Sequence, residues 1–379
     1  QSSPGEVHYG SSRGRARIKI MTKPRIAITM GDPAGVGPET IAALWAEPSF
    51  HQDCQGLVVG NVAVMERAIS LIGGSIEVKE VHSTQQEPSP TLMPLITAGP
   101  GDAEDVPAAT IDPRGGQAAY DALLVAVELA LRGDVDAITT APLNKAALAA
   151  AGLPYPGHTE LLAHLCNAPD AVMMLYLPPG NQIRGSVGLG VTHTTLHTPL
   201  AQVSSQLKAE RIATVTQLTH DLMEQLLATT GHEESPRLGV AAFNPHAGEQ
   251  GLFGNEEQQV IEPAVTQLRE AGLDVTGPLP ADTLMVRAAD GDFDAVVAMY
   301  HDQGHIALKL LGMHQAVNIT LGLPIIRTSV AHGTAFDLAW QGRAQITGLM
   351  QAVQTAAQLA PLRQQLAWNQ ASSVDKSCG

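Results

Sequence analysis

Histidine-containing loops are the part of this sequence best suited to chemistry. Several of the 14 histidines lie in glycine- and proline-rich loops that directly follow short apolar runs. Imidazole is the commonest protein ligand for transition metals, and three such ligands with one open position make a catalytic Lewis-acid site. His197, His246 and His301 follow separate segments and could form that set. No spacing motif joins them, so a loop histidine that hydrogen-bonds the backbone is the alternative for each.

A second cluster is basic and follows the last predicted strand. Lys309, Asn318 and Arg327 are nine residues apart and stand among apolar residues. Arginine grips a carboxylate or phosphate through two parallel hydrogen bonds, and lysine adds a point charge. Surface ion pairing is the alternative, but it does not account for the apolar neighbours. The cluster therefore predicts an anionic substrate.

Two further segments place polar residues near predicted strand or helix ends. His158 and Thr159 precede an apolar helical run, so they predict a helix N-terminus at which Thr159 either caps the helix or contacts an anion. Lys145 follows a predicted strand, and its side chain faces either the same binding cleft as His158 and Thr159 or solvent.

A glycine-rich turn at residues 29–39 connects the first predicted strand to the first helix. It lacks the G-x-G-x-x-G spacing of a dinucleotide-binding loop, and Pro33 and Pro38 remove amide donors. We therefore reject a standard Rossmann site and expect a tight turn in which Pro38 opens the helix.

The elements that must position these residues alternate between strands and helices. Apolar, β-branched runs predict buried strands at residues 25–29, 56–60, 137–140, 238–243 and 295–300. Helical periods cover residues 116–131, ending at Gly133, then 200–230, and 256–271, ending at Gly272. This alternation predicts an α/β fold with a mostly parallel sheet covered on both faces. Functional side chains are expected beyond the carboxyl ends of the strands.

Composition narrows the function classes. The chain has 379 residues with a formal net charge of −15, so we expect no nucleic-acid or anionic membrane partner. No apolar run approaches the roughly 20 residues of a transmembrane helix. Three widely separated cysteines favour a reducing cytoplasm over a disulfide framework. The length predicts two lobes, and we exclude both polar ends from the fold as tails.

The motifs together resemble one enzyme family. The segments TMGDPAGVGPE (29–39), TAPLNK (140–145), YPGHTELLA (155–163), NPHAGE (244–249) and AMYHDQGH (298–305), with ADT (281–283), VNITLGLP (317–324) and RTSVAHGTAFDLA (327–339), span most of the chain in order. They resemble the 4-hydroxythreonine-4-phosphate dehydrogenase family. The residues of several segments are similar to those of the branch that acts on 4-phospho-D-threonate and 4-phospho-D-erythronate.

The resemblance implies an isocitrate/isopropylmalate-dehydrogenase-like fold of two α/β/α lobes with a cleft between them. Residues 22–140 plus 310–361 would form the first lobe and residues 141–309 the second, with tails at 1–21 and 362–379. It also implies a homodimer with the active site near the dimer interface.

Family positions also imply roles. His197, His246 and His301 fall on ligands of a divalent cation (Zn, Mg, Co, Mn or Ni). The substrate-binding positions are His158, Thr159, Lys309, Asn318 and Arg327, while Lys309, Asp282 and Lys145 are candidates for catalytic proton handling. The implied reaction is NAD- or NADP-dependent oxidation of the 3-hydroxyl of a 4-phosphorylated hydroxy acid, followed by decarboxylation.

Two positions depart from the family pattern. Ala331 replaces the Asp that precedes HGTA, which leaves a cis-dihydrodiol dehydrogenase of an aromatic dicarboxylate such as terephthalate as an alternative. His193 competes with His197 as a ligand, and we favour His197 because Pro199 and Leu200 follow it in the family register. A ligand-binding protein on the same scaffold is the non-enzymatic alternative.

Overall fold

The computed structural model describes residues 23–99, 101–180 and 182–363. Its twelve strands are β1 Arg25–Thr29, β2 Gln55–Gly60, β3 Glu77–Glu80, β4 Leu92–Thr97, β5 Ala137–Thr140, β6 Val172–Leu177, β7 Leu189–His193, β8 Leu238–Ala241, β9 Val275–Leu279, β10 Ala295–Ala298, β11 Val317–Leu321 and β12 Arg327–Val330. Its α-helices are α1 Gly37–Trp45, α2 Phe50–Asp53, α3 Val62–Leu71, α4 Pro113–Arg132, α5 Lys145–Ala150, α6 His158–Leu165, α7 Leu200–Gln206, α8 Ala209–Thr229, α9 Glu262–Glu270, α10 Ala281–Ala289, α11 His301–Gly312 and α12 Thr347–Leu359. Short 3₁₀ segments cover Gly101–Asp105, Pro245–Gly251 and Ala360–Leu362, and a π-helical turn covers Glu257–Ile261.

All twelve strands form one sheet in the order β3-β4-β2-β1-β5-β12-β11-β6-β7-β10-β8-β9. The strands from β3 to β12 are parallel to one another, and so are those from β7 to β9. Antiparallel pairing occurs only where β11 and β6 join these two blocks. The predicted α/β fold with a mostly parallel sheet is confirmed.

The two faces of the sheet are covered differently. On one face α1, α3, α8, α9 and α12 share a continuous apolar core that runs across both parallel blocks. On the other face the core is divided: α4 and α6 cover one block, while α10 and α11 cover the other. Some side chains of β11 and β12, such as Asn318 and Arg327, point into the gap between these two cores. They are polar because none of the described helices covers them with apolar surface. The divided face therefore holds a polar cleft.

Helix α4 shows how local sequence sets these elements. Its apolar positions recur every three or four residues and bury one stripe against β1, β2 and β5. The Asp112 carboxylate accepts a hydrogen bond from the Arg114 amide at the start. Gly133 ends the helix at φ 86°, a left-handed conformation that favours glycine. The predicted helix and its glycine stop are confirmed.

Three of the sequence expectations are wrong in detail. The single helix expected over 200–230 is two helices, because Leu207 and Lys208 are extended and Leu207 turns into the core. The helix expected over 256–271 begins as a π-helical turn, since Pro263 has no amide to bond the carbonyl four residues earlier. Asn318 and Arg327 do not follow the last strand; they lie on two further strands, β11 and β12.

No helix in the described ranges is long and apolar enough to cross a bilayer. The expected tails lie outside the described residues, apart from Leu362, which is buried, and Arg363, whose guanidinium donates to the Gly133 carbonyl at 3.0 Å.

Candidate active site

Arg327 lies at the floor of the cleft. Its side chain is fully buried, and its guanidinium donates to the hydroxyl oxygens of Thr140 at 2.6 Å and Thr320 at 3.0 Å. Within the part of the chain that the structure describes, its Nε has no hydrogen-bond partner, and neither has the buried Oδ1 of Asn318 on the neighbouring strand. Burial lowers the pKa of Arg327 to about 9, so the group remains charged at neutral pH. A buried cation without a carboxylate partner calls for an anionic ligand.

The N-terminus of α6 forms the wall beside Arg327. Burial, helped by the charges of Arg327 and Lys145, lowers the pKa of His158 well below its usual value, so His158 is neutral between two cations. A Cβ at Gly157 would lie 3.6 Å from Cε of Lys145, which places that lysine against the same helix start. Gly157 is the N-cap, so the alternative in which Thr159 caps the helix is wrong. Lys145 and His158 therefore share the arginine pocket.

Glu160 connects this pocket to the histidines. Its Oε1 lies 3.4 Å from Nδ1 of His197, and the hydrogen bond from His197 lowers the pKa of Glu160, with Lys145 adding to the effect. A carboxylate on one ring nitrogen fixes the tautomer of the imidazole and leaves the other nitrogen free as a metal ligand.

His301 has the same arrangement as His197. Nδ1 of His301 lies 2.7 Å from Oδ1 of Asp302, and the rings of His197 and His301 have centroids 6.0 Å apart. Both rings therefore have a carboxylate on Nδ1 and Nε2 available. The cleft thus places two carboxylate-paired imidazoles, suited to bind a cation, next to a buried cationic pocket.

His193 does not share this exposure. It is 3% exposed, and its Nε2 lies 3.0 Å from Nδ1 of His305, itself buried. Burial, with the neighbouring imidazoles, lowers the pKa of His193 well below its usual value, and burial lowers that of His305 to about 4. This geometry supports His197 over His193 as the ligand.

His246 lies apart from these rings in the same chain. It follows β8, two places from β7 in the sheet, and its neighbouring ring is Phe253 at 6.3 Å. Residues 246–250 form a left-handed turn with φ between 43° and 76°. The buried Glu257 carboxylate fastens the start of this turn by accepting from the amides of Phe243 at 2.9 Å and Asn244 at 2.7 Å. Among the described residues no three His, Cys, Asp or Glu side chains are grouped to hold a metal ion.

Two other predicted residues are not joined to the cleft by hydrogen bonds or ion pairs among the described residues. Lys309 lies one helical turn beyond His305, on which its charge acts. Asp282 is exposed at the start of α10, the helix that follows β9, and its Oδ1 accepts from the Thr283 amide at 2.9 Å.

Backbone amides of the glycine-rich turn at residues 29–39 donate hydrogen bonds to other groups of the protein. The Ala34 amide donates to Oδ1 of Asp32 at 2.9 Å, and the amides of Gly35 and Val36 donate to the carbonyls of Asp32 and Thr334. A Cβ at Gly31 would clash with the Pro142 carbonyl oxygen, so glycine is required for this close approach. The turn offers no amide cradle for a pyrophosphate, and Pro38 opens α1 as expected.

Sequence reasoning missed Glu160, Asp302 and His305. Two of them directly follow a residue that it did select: Glu160 follows Thr159, and Asp302 follows His301. The available signal was that metal-binding imidazoles need a carboxylate or carbonyl on the second nitrogen.

Several known proteins are similar to this chain. The family described as "Pyridoxal phosphate biosynthetic protein PdxA" matches residues 52–356. A 4-hydroxythreonine-4-phosphate dehydrogenase of Geobacter metallireducens is 46% identical over 343 residues, covering 90% of this chain and 97% of its own. A D-threonate 4-phosphate dehydrogenase of Salmonella typhimurium is 43% identical over 342 residues, covering 90% and 100%.

Solved structures show the same relationship. The crystal structure of 4-hydroxythreonine-4-phosphate dehydrogenase from Klebsiella pneumoniae matches with a TM-score of 0.77 at 42% identity, covering 89% of this chain and all of that one. A terephthalate 1,2-cis-dihydrodiol dehydrogenase from Burkholderia xenovorans matches less well, with a TM-score of 0.60 at 28% identity over 89% and 98% of the two chains. On the strength of the matched family range and these identities, the chain belongs to the PdxA family, and its relatives at 43% and 46% identity are named as dehydrogenases.

Proposed function

We propose that the protein is a metal- and NAD(P)-dependent dehydrogenase. It would oxidise the 3-hydroxyl of a 4-phosphorylated hydroxy acid, such as 4-phospho-D-threonate, 4-phospho-D-erythronate or 4-phosphohydroxythreonine, and release CO₂ from the product. One observation carries this proposal: a fully buried arginine without a carboxylate partner lies in the same cleft as two imidazoles whose Nδ1 atoms face carboxylates.

The arginine pocket would bind the anionic groups of the substrate. The unpaired Nε of Arg327 can donate to a phosphate or carboxylate oxygen, and the unpaired Oδ1 of Asn318 can accept from a substrate hydroxyl. His158 is neutral and so serves as a hydrogen-bond partner. Thr159 and Lys309 complete the proposed substrate-binding set. Lys145, beside the helix start of α6, is the best placed of the proposed proton carriers, whereas Asp282 is exposed at the start of α10.

The donor set at His197 and His301 fits a divalent cation, since each ring has a carboxylate on Nδ1. Such a cation, when bound, lowers the pKa of a substrate hydroxyl and stabilises negative charge during decarboxylation. The chain's own contribution is to set the tautomer of both rings through Glu160 and Asp302. NAD or NADP is the proposed hydride acceptor.

A homodimer would supply the third proposed ligand. Helix α11, which begins at His301, exposes Ile306, Leu310 and Met313 in a stripe at helical spacing, with Leu310 80% exposed. Exposed apolar side chains aligned on one helix face favour burial against a partner. We propose that a second copy covers this stripe and that His246 of the partner subunit joins His197 and His301.

A specific observation supports a second substrate class. Ala331 packs against the α10–α11 core, so no carboxylate stands at the position before HGTA. This favours a cis-dihydrodiol of an aromatic dicarboxylate, the substrate class for which the Burkholderia xenovorans enzyme is named. The phosphorylated acids remain the first choice because the relatives with 43% and 46% identity carry names of that class.

The test is reduced-nicotinamide formation, followed by absorbance, with 4-phospho-D-threonate, 4-phosphohydroxythreonine and terephthalate cis-dihydrodiol. We expect turnover of the phosphorylated acids. Turnover of the dihydrodiol alone would select the second class. Tight binding of phosphorylated acids without reduction of NAD or NADP under any cation would select the ligand-binding alternative.

Sharing of the site between subunits has its own test. Mixed dimers of His246→Ala and His197→Ala protomers contain one intact site only if His246 acts across the interface. Recovery of turnover on mixing the two inactive variants is expected, and continued inactivity would contradict the shared site.

A further inference from the structure

Two buried imidazoles, those of His193 and His305, lie beside His301. The ring of His305 stacks on that of His301 with centroids 3.7 Å apart and planes 10° apart. On its other side, Nδ1 of His305 lies 3.0 Å from Nε2 of His193. His193 and His305 are only 3% and 6% exposed, and His193 lines a cavity with Thr159 and Glu160.

This packing depends on a glycine in α11. A Cβ at Gly304 would lie 2.5 Å from Nε2 of His193 and 2.6 Å from Cγ1 of Val191. Contacts that short do not occur between real atoms, so any other residue would push α11 away from β7. Gly304 thus permits the ring of His193 to reach beneath the helix and meet His305.

His301 needs such support because it stands at the helix start and is partly exposed. A hydrogen bond to Asp302 at 2.7 Å holds Nδ1, but Asp302 is itself 69% exposed and lies on the next residue. A carboxylate that exposed does not fix the plane of the ring. The stacked ring of His305 fixes that plane, since it is buried and contacts His193 on its other side.

We infer that His305, held in place by His193, is the positioning residue that fixes the ring plane of His301 and leaves its Nε2 ready for a cation. This inference rests on the proposed function, in which His301 is a metal ligand. His305 would raise cation affinity without touching the cation. His193 would act only through His305.

The experiment measures binding of Co²⁺ alone, without substrate or nicotinamide, to the full-length protein after chelator treatment. Calorimetry gives the affinity, and visible absorption of bound Co²⁺ reports the ligand geometry. His305→Leu should weaken Co²⁺ binding about 10- to 100-fold, as loss of an outer partner of a metal ligand does. His305→Phe keeps a ring against His301 and should recover most of the affinity and the absorption spectrum. His305→Asn keeps a polar partner for His193 but not the ring, and should bind as weakly as His305→Leu.

His193→Ala should weaken Co²⁺ binding in the wild-type background but not when combined with His305→Leu, because its effect passes through His305. His232→Ala, an exposed histidine in the loop after α8, is the matched control and should bind as the wild type does. Circular dichroism confirms the fold of each variant, and His305→Asn decides the question should His305→Leu not fold.

Different results would overturn the proposed metal site and the positioning role of His305. If His301→Ala binds Co²⁺ like the wild type, the proposed metal site is wrong. If His301→Ala loses Co²⁺ while folded His305→Leu and His305→Asn bind it with wild-type affinity, the metal site stands and the positioning role of His305 is overturned.

Discussion

Replacing Arg327 with methionine should stabilise the ligand-free protein while removing its response to anions. Burial shifts the pKa of Arg327 from 12.5 to about 9, which corresponds to roughly 5 kcal/mol of unfavourable free energy at neutral pH. Hydrogen bonds to the hydroxyls of Thr140 and Thr320 return roughly 1.5 kcal/mol each. About 2 kcal/mol remains uncompensated until an anion binds.

Because its pKa is lowered in the folded state, Arg327 destabilises the ligand-free fold. A base whose folded-state pKa is lowered destabilises the fold at every pH below that value, and neutral pH lies in this range. Arg327→Met removes the charge from a buried site of similar volume, so the melting temperature should rise by roughly 2–3 °C. Inorganic phosphate should raise the melting temperature of the wild type, relative to chloride at equal ionic strength, and leave that of Arg327→Met unchanged.

Thermal unfolding followed by circular dichroism provides the assay, with Arg132→Met, an exposed arginine paired with Asp134, as the matched control. Arg327→Lys keeps a charge but loses the planar fork, so it should retain part of the phosphate response and raise KM strongly. A lower melting temperature for Arg327→Met, together with an undiminished phosphate response, would refute the assignment of Arg327 as an anion-binding group.

Four other perturbations have definite expected outcomes. Asp32 is fully buried, and burial raises its pKa from 3.8 to about 6, so ionisation destabilises the fold as pH rises through this window. Asp32→Asn should therefore add roughly 3 kcal/mol to the unfolding free energy at pH 7 but less than about 1 kcal/mol near pH 4, and a pH-independent gain in denaturant titrations would contradict this. Glu160→Gln should weaken Co²⁺ binding about tenfold with the fold intact, and calorimetry showing wild-type affinity would remove Glu160 from the site. His246→Ala should abolish turnover while circular dichroism and melting remain unchanged, because no core cavity opens; retained turnover counts against the metal assignment. Leu310→Glu should yield monomers in sedimentation measurements and lose turnover, whereas an active dimer would exclude the α11 stripe as the interface.

Sequence patterns were sufficient where a local rule applied. The strands β1 and β5, the helix α4 and its stop at Gly133 follow from burial periodicity and capping. Patterns were insufficient for β11 and β12, because their polar side chains face a cleft and break the apolar run that marks a buried strand. The break at Leu207 and Lys208 also had no local signal, since tertiary packing of Leu207 decides it.

The candidate site was predictable residue by residue but not as an arrangement. Residue chemistry selected His197, His301 and Arg327, and the structure places all three around one cleft. The distances between these residues depend on Glu160, which connects the histidines to the arginine pocket. They also depend on the strand order, in which β11 and β6 lie between β12 and β7. The stacking of His305 under His301 requires the close approach at Gly304, and periodicity carries no information about such a contact.

A divalent cation and a buried arginine pocket must act together on a phosphorylated hydroxy acid if the proposed function holds. Its most direct test is turnover of 4-phospho-D-threonate with NAD or NADP by chelator-treated protein, before and after each divalent cation is returned. We expect no turnover without a cation and recovery with at least one of them. Undiminished turnover by the fully chelated protein would contradict the account.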